Sequence, residues 1–315
     1  PSKHLSFLKN LIDIKNYLGL SGLSIPKTLN EVIAKMGMIL KFFKINNNEL
    51  AIFNEFNFID SHHLNEVIKR ANTRLRIPST LNKACFKRIS HNKLTFIMDC
   101  GSPPKEKTHA GSLSFEFSYF GEKLVVNSGS PVVNDKKWIE AMRSTAAHST
   151  VSIDDVNSSD IFYQKDTDTR IAKVWSELLV DKNCYWLNSA HSGYKKIFGI
   201  IHNRKIHIDP ENHIIRGQDY FSKPTKHLFN MPKKMFIRFH IHPDIRLNVT
   251  TSKKKVFLQL KNNIAWEFIC SEAKIKLKEG IYLGEKRTIQ KNNHILISEN
   301  LVPEKKIKWM FRLIK

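Results

Sequence analysis

The stretch THAGSLSFEFSYFGEKLVVNSG (residues 108–129) contains a run with the strict alternation of a β-strand. Leu113, Phe115 and Phe117 point to one face of that strand, and the polar residues between them point to the other. A turn then returns the chain along a second strand. His109 stands just before the first strand. The stretch therefore predicts a β-hairpin with a histidine at its open end.

The composition indicates a folded and strongly basic chain. Its 315 residues are 41% hydrophobic, which is enough for one large domain or two ordinary ones and argues against disorder. Lys and Arg total 51 against 29 acidic residues, for a formal charge of +22. Such a charge favours an acidic polysaccharide, a nucleic acid or a membrane surface as partner. The lysines are scattered, so the charge alone leaves the partner open.

Several functional classes lack their sequence signals. No stretch approaches the ~20 apolar residues of a membrane span, and no charged segment followed by an apolar core marks a signal peptide in the given sequence. The GxxxxGK, GxSxG and HExxH motifs are absent, which argues against nucleotide hydrolases, serine hydrolases and zincin proteases. The cysteines show no CxxC pair or zinc-ribbon spacing, so buried free thiols are expected. Because the chain starts at Pro1 without a Met, we expect a fragment or a processed product.

The period of the apolar residues changes near residue 80. Before it, residues 4–20, 24–44 and 61–75 carry helical patterns, with a short extended connection at 49–56. After residue 84, about ten short segments have strand character and are separated by turn signals. Strands without interspersed helices predict a large antiparallel sandwich rather than a βαβ fold.

Several blocks, in this order, resemble a known family. They are HAGSLSFEFS with KLVVNSG, then RSTAAHSTVSIDD, AHSGY, GIIHNRKIHI and FIRFHIHPDIRL. Together they resemble the C-terminal half of heparinase II/III-like proteins, which are polysaccharide lyases. The resemblance implies an α+β chain, with the tail of an α/α toroid over residues 1–80 and an antiparallel β-sandwich over residues 81–315. It also suggests the periplasm or cell envelope.

The resemblance implies β-elimination on an acidic, uronate-containing polysaccharide that is heparin-like or alginate-like. This reaction needs a group that neutralises the uronate carboxylate, a base and an acid. The family's catalytic Tyr and partner His lie earlier in the toroid, so this chain alone is expected to be inactive. The alternative is a non-catalytic module that binds carbohydrate or another polyanion. A nucleic-acid binder is a third hypothesis, which no recognised motif supports.

The resemblance also implies a metal site, usually zinc, at His109, Asn127 and His148. The hairpin brings Asn127 to the same end as His109, and His148 leads into another strand. In the family, an acidic residue stands at the position of Asn127. A neutral amide oxygen is a poorer zinc ligand, so weak or partial occupancy is expected. The alternative is that both histidines only form hydrogen bonds at the end of a sheet.

Two cations are candidates for binding the substrate carboxylate. Lys107 occupies a position where the family's lyases often carry a histidine, and the alternative is a solvated loop lysine. Arg143 precedes His148 closely and could bind a carboxylate bidentately or cap the loop.

Two further polar groups are candidates for substrate binding. The first comprises His191, Tyr194 and Arg204. The second comprises Arg238, His240 and His242, which alternate along one predicted strand. For both groups the alternative is structural hydrogen bonding on a satisfied polar face.

Overall fold

The computed structural model describes residues 2–55, 59–131, 135–162, 168–224, 232–284 and 288–314. Its helices are α1 (Ser2–Leu20), α2 (Lys27–Phe43), α3 (Ser61–Ala71), α4 (Lys136–Arg143) and α5 (Lys195–Phe198). A 3-10 turn, Thr145–Ala147, follows α4. Within these ranges we find no helix that is long and apolar enough to cross a membrane.

The strands of the described residues form two antiparallel sheets. The first, here called the front sheet, contains nine strands. In spatial order they are β1 (Thr80–Leu81), β2 (Phe86–His91), β3 (Leu94–Asp99), β4 (Phe115–Tyr119), β5 (Glu122–Val126), β11 (Lys234–Ile241), β16 (Gln290–Asn300) and β15 (Ile275–Tyr282), with β6 (Val151–Ile153) also paired to β11.

The second sheet, here called the back sheet, contains eight strands over the same described ranges. In spatial order they are β12 (Arg246–Val249), β13 (Lys255–Gln259), β14 (Ala265–Ile269), β17 (Ile307–Leu313), β10 (Ile214–Phe221), β9 (His202–Asp209), β8 (Cys184–His191) and β7 (Val174–Asp181). The predicted α+β fold with a large antiparallel sandwich is therefore confirmed.

The main core lies between the two sheets. Phe115 of β4 stacks on Trp309 of β17 with ring centres 5.7 Å apart, and Phe117 lies 5.5 Å from Trp266. All four side chains are buried. Burial of side chains of this size stabilises the fold by roughly 1.5–3 kcal/mol each. The apolar face of the quoted stretch therefore joins the two sheets.

Helices α1, α2 and α3 pack on one another and on the outer side of the front sheet. Their shared core includes Leu8, Ile33 and Val67, and it extends to Val126 and Tyr282 of the front sheet. The described residues show these three helices and no toroid. The assignment of residues 1–80 to a toroid tail, and the boundary at residue 81, stay predictions.

The predicted hairpin is confirmed with one local difference. Its first strand begins at Phe115, because a turn precedes it in which Leu113 has a φ of 62°. The polar face of the hairpin is also buried, since the connection after α2 lies over it. Ser118, for example, donates its hydroxyl to the carbonyl of Ile45. This covering connection carries the next residues of the chain to the open end of the hairpin.

Candidate functional site

The candidate site lies where the connection between α2 and α3 meets the open end of the hairpin. Residues 50–53 of that connection are buried, and Glu55 follows them. Glu55 Oε1 accepts hydrogen bonds from Arg143 Nε and Nη2 at 2.8 and 2.6 Å. His109 Nε2 lies 3.3 Å from the same oxygen, and Lys107 Nζ lies 3.8 Å from Oε2. Three of the predicted site residues thus lie around one carboxylate.

Glu55 is ionised at neutral pH. The hydrogen bond from His109 lowers its pKa most, and the hydrogen bond and charge of Arg143 lower it further. Partial burial acts in the opposite direction, and the net pKa is about 2. The site therefore holds a permanent negative charge among three groups that can be positive.

The two predicted imidazole ligands face each other. His109 Nδ1 lies 3.2 Å from His148 Nε2, with the ring planes at 89°. Gly111 permits this arrangement, because a Cβ on it would lie 2.5 Å from the His148 ring. The structure therefore brings His109 and His148 together, as the resemblance implies.

Each ring has one nitrogen that faces the other ring and one that faces away from it. The hydrogen bond of the nitrogen that faces away determines whether the facing nitrogen carries a hydrogen. His148 Nδ1 lies 2.7 Å from the carbonyl oxygen of Ser144, which only accepts, so Nδ1 carries a hydrogen. His109 Nε2 must donate to the ionised Glu55 for the same reason. In the neutral rings, His109 Nδ1 and His148 Nε2 then both present lone pairs to each other. This contact is repulsive unless a cation lies between the two nitrogens.

A proton is a poor candidate for that cation. Burial lowers the pKa of His109, although Glu55 partly offsets it. Burial, followed by the charge of His109, lowers the pKa of His148 to about 3. A tetrahedral zinc ion with Zn–N bonds of 2.0–2.1 Å would separate its ligand nitrogens by about 3.3 Å. The observed 3.2 Å separation of the two nitrogens fits that geometry. The hydrogen bonds from His148 to Ser144 and from His109 to Glu55 resemble those that orient histidine ligands of zinc.

Asn127, the third predicted ligand, is occupied by other contacts. Its amide nitrogen donates to the carbonyl of Ile52 and to Glu116, and its oxygen accepts from the backbone N–H of Ser149. Across the part of the chain that the structure describes, no group of three His, Cys, Asp or Glu side chains could hold a metal ion. The imidazole pair could hold zinc, and metal binding itself stays a prediction.

The two predicted carboxylate-binding cations differ in their freedom. The Arg143 side chain is 11% exposed and places two nitrogens on one oxygen of Glu55. The Lys107 side chain is 63% exposed and only approaches the same carboxylate. Lys107 therefore remains available to a ligand, whereas Arg143 is engaged with Glu55.

The first predicted substrate-binding group lies in the interior. Arg204, His191 and Tyr194 are completely buried. Arg204 binds Asp219 with Nε and Nη2, and its Nη1 donates to the carbonyls of Leu113 and Ser149. This guanidinium therefore ties the back sheet to the start of the hairpin. Tyr194 donates its hydroxyl to a backbone carbonyl.

A continuous hydrogen-bond chain fixes the tautomers of the buried histidines in this group. The backbone N–H of Gly193 donates to His191 Nδ1, so His191 Nε2 donates to His202 Nδ1. His202 Nε2 then donates to Asp219, which also accepts from Trp309. Burial alone would raise the pKa of Asp219, but the charge of Arg204 and the bond from His202 hold it well below its usual value. These contacts favour the structural alternative for this group.

The second predicted substrate-binding group lies beside the candidate site on β11 and just after it. His240 is buried and donates Nε2–H to the carbonyl of Ala146, two residues before His148. His242 is buried against the ring of Tyr282. Arg238 is half-buried and donates to a serine hydroxyl. All three carry hydrogen bonds or ring contacts within the protein, and substrate binding by them stays a prediction.

Glu55 is the site residue that the sequence analysis missed. It lies 54 positions before His109 and belongs to no recognised block. One signal was present, because an acidic residue follows a short apolar run in a predicted connection. That signal does not indicate which loop the residue will meet.

Comparison with known proteins places the chain in a family. A sequence profile described as "Heparinase II/III-like, C-terminal" matches residues 73–310. FtsZ-localized protein C of Caulobacter vibrioides is 22% identical over 98% of this chain and 56% of its own length. The fold is similar to the heparan sulfate lyase HepC of Pedobacter heparinus, with a TM-score of 0.76, 12% identity, and coverage of 100% of this chain and 52% of that one. A heparinase III structure gives a TM-score of 0.76 at 13% identity, over 99% and 52% of the two chains.

The chain thus spans about half the length of the proteins it matches. The likeness to solved structures concerns the fold, while the profile match covers most of the sequence and includes the blocks on which the resemblance rested. The chain therefore belongs to the heparinase II/III-like family.

Proposed function

We propose that this chain is the β-sandwich half of a polysaccharide lyase that cleaves an acidic, uronate-containing polysaccharide by β-elimination. The observation that carries the proposal is the carboxylate of Glu55 held by a guanidinium and an imidazole, with an exposed ammonium beside it. Family membership supports it, as does the structural neighbour named a heparan sulfate lyase. The +22 charge favours an anionic substrate.

In this proposal Lys107 neutralises the uronate carboxylate. Neutralisation makes the proton on C5 more acidic, so a base can remove it as the C4–O bond breaks. A double bond then forms between C4 and C5, and the departing oxygen takes a proton from an acid. Glu55 and Arg143 are positioning residues that hold His109 and the loop of Lys107. We assign neither the base nor the acid to a described residue.

The proposal includes a zinc ion between His109 and His148, with Asn127 as a candidate third ligand. The support is the pair of facing lone pairs at 3.2 Å. Bound there, zinc would crosslink the loop before β4 to the loop before β6, which is a structural role. Asn127 brings no negative charge, so the affinity is expected to be modest.

The test is an ultraviolet absorbance assay on the whole protein with a panel of acidic polysaccharides. Elimination creates an unsaturated uronate that absorbs, whereas hydrolysis and simple binding do not. We expect Lys107→Ala to lower kcat/KM by roughly 100-fold, as for loss of a charge-stabilising group, and Lys107→Arg to retain more activity. The matched control is Lys105→Ala, because Lys105 is an exposed lysine of the same loop. Equal activity of the two alanine variants would refute the role of Lys107.

A second candidate function is a non-catalytic module that binds an acidic glycan. Two observations favour it, namely Asn127 at the position of the family's acidic ligand and a relative that is named for its localisation with FtsZ. This module would bind acidic oligosaccharides without any increase in absorbance. Binding that is saturable in a whole protein that never produces the unsaturated product would establish it.

A further inference from the structure

A groove lies on the outer face of the back sheet, on the opposite side of the sandwich from the candidate site. It has a volume of about 580 Å³, within the range of ~300–1,000 Å³ typical of ligand sites. Its lining comes from five adjacent strands, β8, β9, β10, β17 and β14. With neighbouring strands about 4.8 Å apart, the groove extends over about 19 Å. That length suits an extended chain of sugars better than a single sugar.

Strand register places eight of the lining residues in two rows that cross β8, β9, β10 and β17. One row pairs Trp186 with His207, His207 with Arg216, and Arg216 with Met310. The other row pairs Asn188 with Lys205, Lys205 with Gln218, and Gln218 with Lys308. The rows are two residues apart along each strand, so the side chains form two walls and the sheet forms the floor.

Trp186 offers an aromatic surface in this groove. Its side chain is 47% exposed, although it lies in the middle of a well-formed strand. The ring of His207 lies 4.1 Å from the indole and braces it. A braced, half-exposed indole on a sheet face provides an apolar surface on which the face of a sugar ring can pack.

The charged residues that line the groove are all positive. Lys205, Arg216 and Lys308 are exposed, and Asn188 and Gln218 between them can bond to hydroxyl groups. Among the lining residues that the structure describes there is no Asp or Glu. Three cations beside amides and an indole complement a chain that carries both sugar rings and anionic groups.

We propose that this outer groove binds a second segment of an acidic polysaccharide, with a sugar ring on Trp186 and its carboxylates or sulfates on Lys205, Arg216 and Lys308. The inference rests on the proposed function for the class of ligand, and it adds a site remote from Glu55 and Lys107. Because the groove lies across the sandwich from those residues, it takes no part in elimination. It holds the polymer close to the protein and raises the effective concentration of substrate at the candidate site.

The test is calorimetric titration of the 315-residue chain with two probes, a sulfated heparin-type hexasaccharide and an unsulfated alginate-type hexauronate. We expect Trp186→Ala to weaken binding roughly tenfold, from the loss of one aromatic contact, and Trp186→Phe to recover part of it. Trp175→Ala is the matched control, since Trp175 is 50% exposed on the same sheet face and does not line the groove.

A second pair of variants tests the charges. Lys205→Gln with Lys308→Gln should weaken binding of the tighter probe roughly tenfold at low salt, and less at physiological salt. Lys276→Gln with Lys278→Gln, on the front sheet, removes the same charge from exposed positions elsewhere. If only the heparin-type probe responds, the groove selects sulfate. If both probes respond equally, it recognises the carboxylates that they share.

Other outcomes would overturn the inference. If the groove variants bind as the unsubstituted chain does while Lys107→Ala binds weakly, the groove is refuted and the proposed function stands. If the groove variants lose binding but the whole protein never eliminates, the groove stands and the lyase fails. Equal binding of an uncharged hexasaccharide would refute recognition of anions. Preferential binding of single-stranded DNA, or a dimer that Trp186→Ala dissociates, would assign the groove to a different occupant.

Discussion

If zinc binds between His109 and His148 as proposed, it should make a measurable contribution to the free energy of unfolding. A ligand that binds only the native state stabilises it by about 2.7 kcal/mol when its concentration is 100 times the dissociation constant. For a chain of this size, about 2 °C per kcal/mol gives an increase in melting temperature of roughly 5 °C. Chelation should reverse the increase. The direction follows from the structure, because without a cation two lone pairs face each other at 3.2 Å.

The assay is a set of thermal melts of the 315-residue chain with added zinc and with a chelator, together with elemental analysis of the protein. We expect His148→Ala and His109→Gln to lose the zinc-dependent increment and the bound metal. Each variant also loses a hydrogen bond, to Ser144 or to Glu55, so its melting temperature falls even without zinc. The comparison therefore concerns the increment within each variant and not the absolute temperatures.

A control variant distinguishes zinc bound at the candidate site from zinc bound adventitiously to surface histidines. His62 and His63 are adjacent near the start of α3, where they could bind zinc weakly at the surface. His62→Gln with His63→Gln should keep the increment of the unsubstituted chain. A melting temperature that zinc does not change, or an increment that survives in His148→Ala, would refute the metal site. The alternative would then hold, in which both histidines only form hydrogen bonds at the end of the sheet, to Ser144 and to Glu55.

Three further predictions follow from buried and exposed charges. Burial raises the pKa of Glu116 from 4.5 to about 7, so the folded state binds an extra proton between these values and stability falls as pH rises through this window. In urea melts, the free energy of unfolding should fall between pH 5 and pH 8, and Glu116→Gln should make this fall smaller by up to about 3 kcal/mol. A pH dependence that the substitution does not change would contradict the raised pKa of Glu116. Arg204→Met should cost about 3–5 kcal/mol in urea melts, because Asp219 keeps a buried charge without its guanidinium; a cost below about 1 kcal/mol would show that the network adapts. Calorimetric binding of acidic oligosaccharides should weaken steeply between low and physiological salt, where screening acts over about 8 Å, whereas salt-insensitive binding would indicate a pocket for neutral sugar.

The sandwich was predictable because strand alternation is local. Phe115 and Phe117 alternate with polar residues, and both enter the core as expected. The burial of the intervening Glu116 was not predictable from the same pattern, because the chain that covers it comes from the connection before α3. That connection approaches through packing across the front sheet, for which no local signal exists.

The interior position of Arg204 had a signal that the sequence analysis did not use. Arg204 lies on the same face of β9 as Ile206 and Ile208, which are buried in the core. Asp219 likewise lies on the same face of β10 as the buried Ile215 and Phe221. An arginine and an aspartate at apolar positions of adjacent strands predict a buried ion pair. Period-two patterns can therefore identify interior charges when two strands are compared.

Asn127 shows why a departure from a family pattern needs a structural account. Considered as a metal ligand, its amide is inferior to a carboxylate. In the structure, however, the same amide nitrogen donates to the carbonyl of Ile52 and to Glu116. A carboxylate at this position could not donate, and it would add negative charge beside the buried Glu116. An aspartate here would strengthen a zinc site while weakening the attachment of the connection that carries Glu55. Because Glu55 orients His109, the asparagine supports the imidazole pair through its hydrogen bond to the connection at Ile52, whether or not its oxygen binds metal.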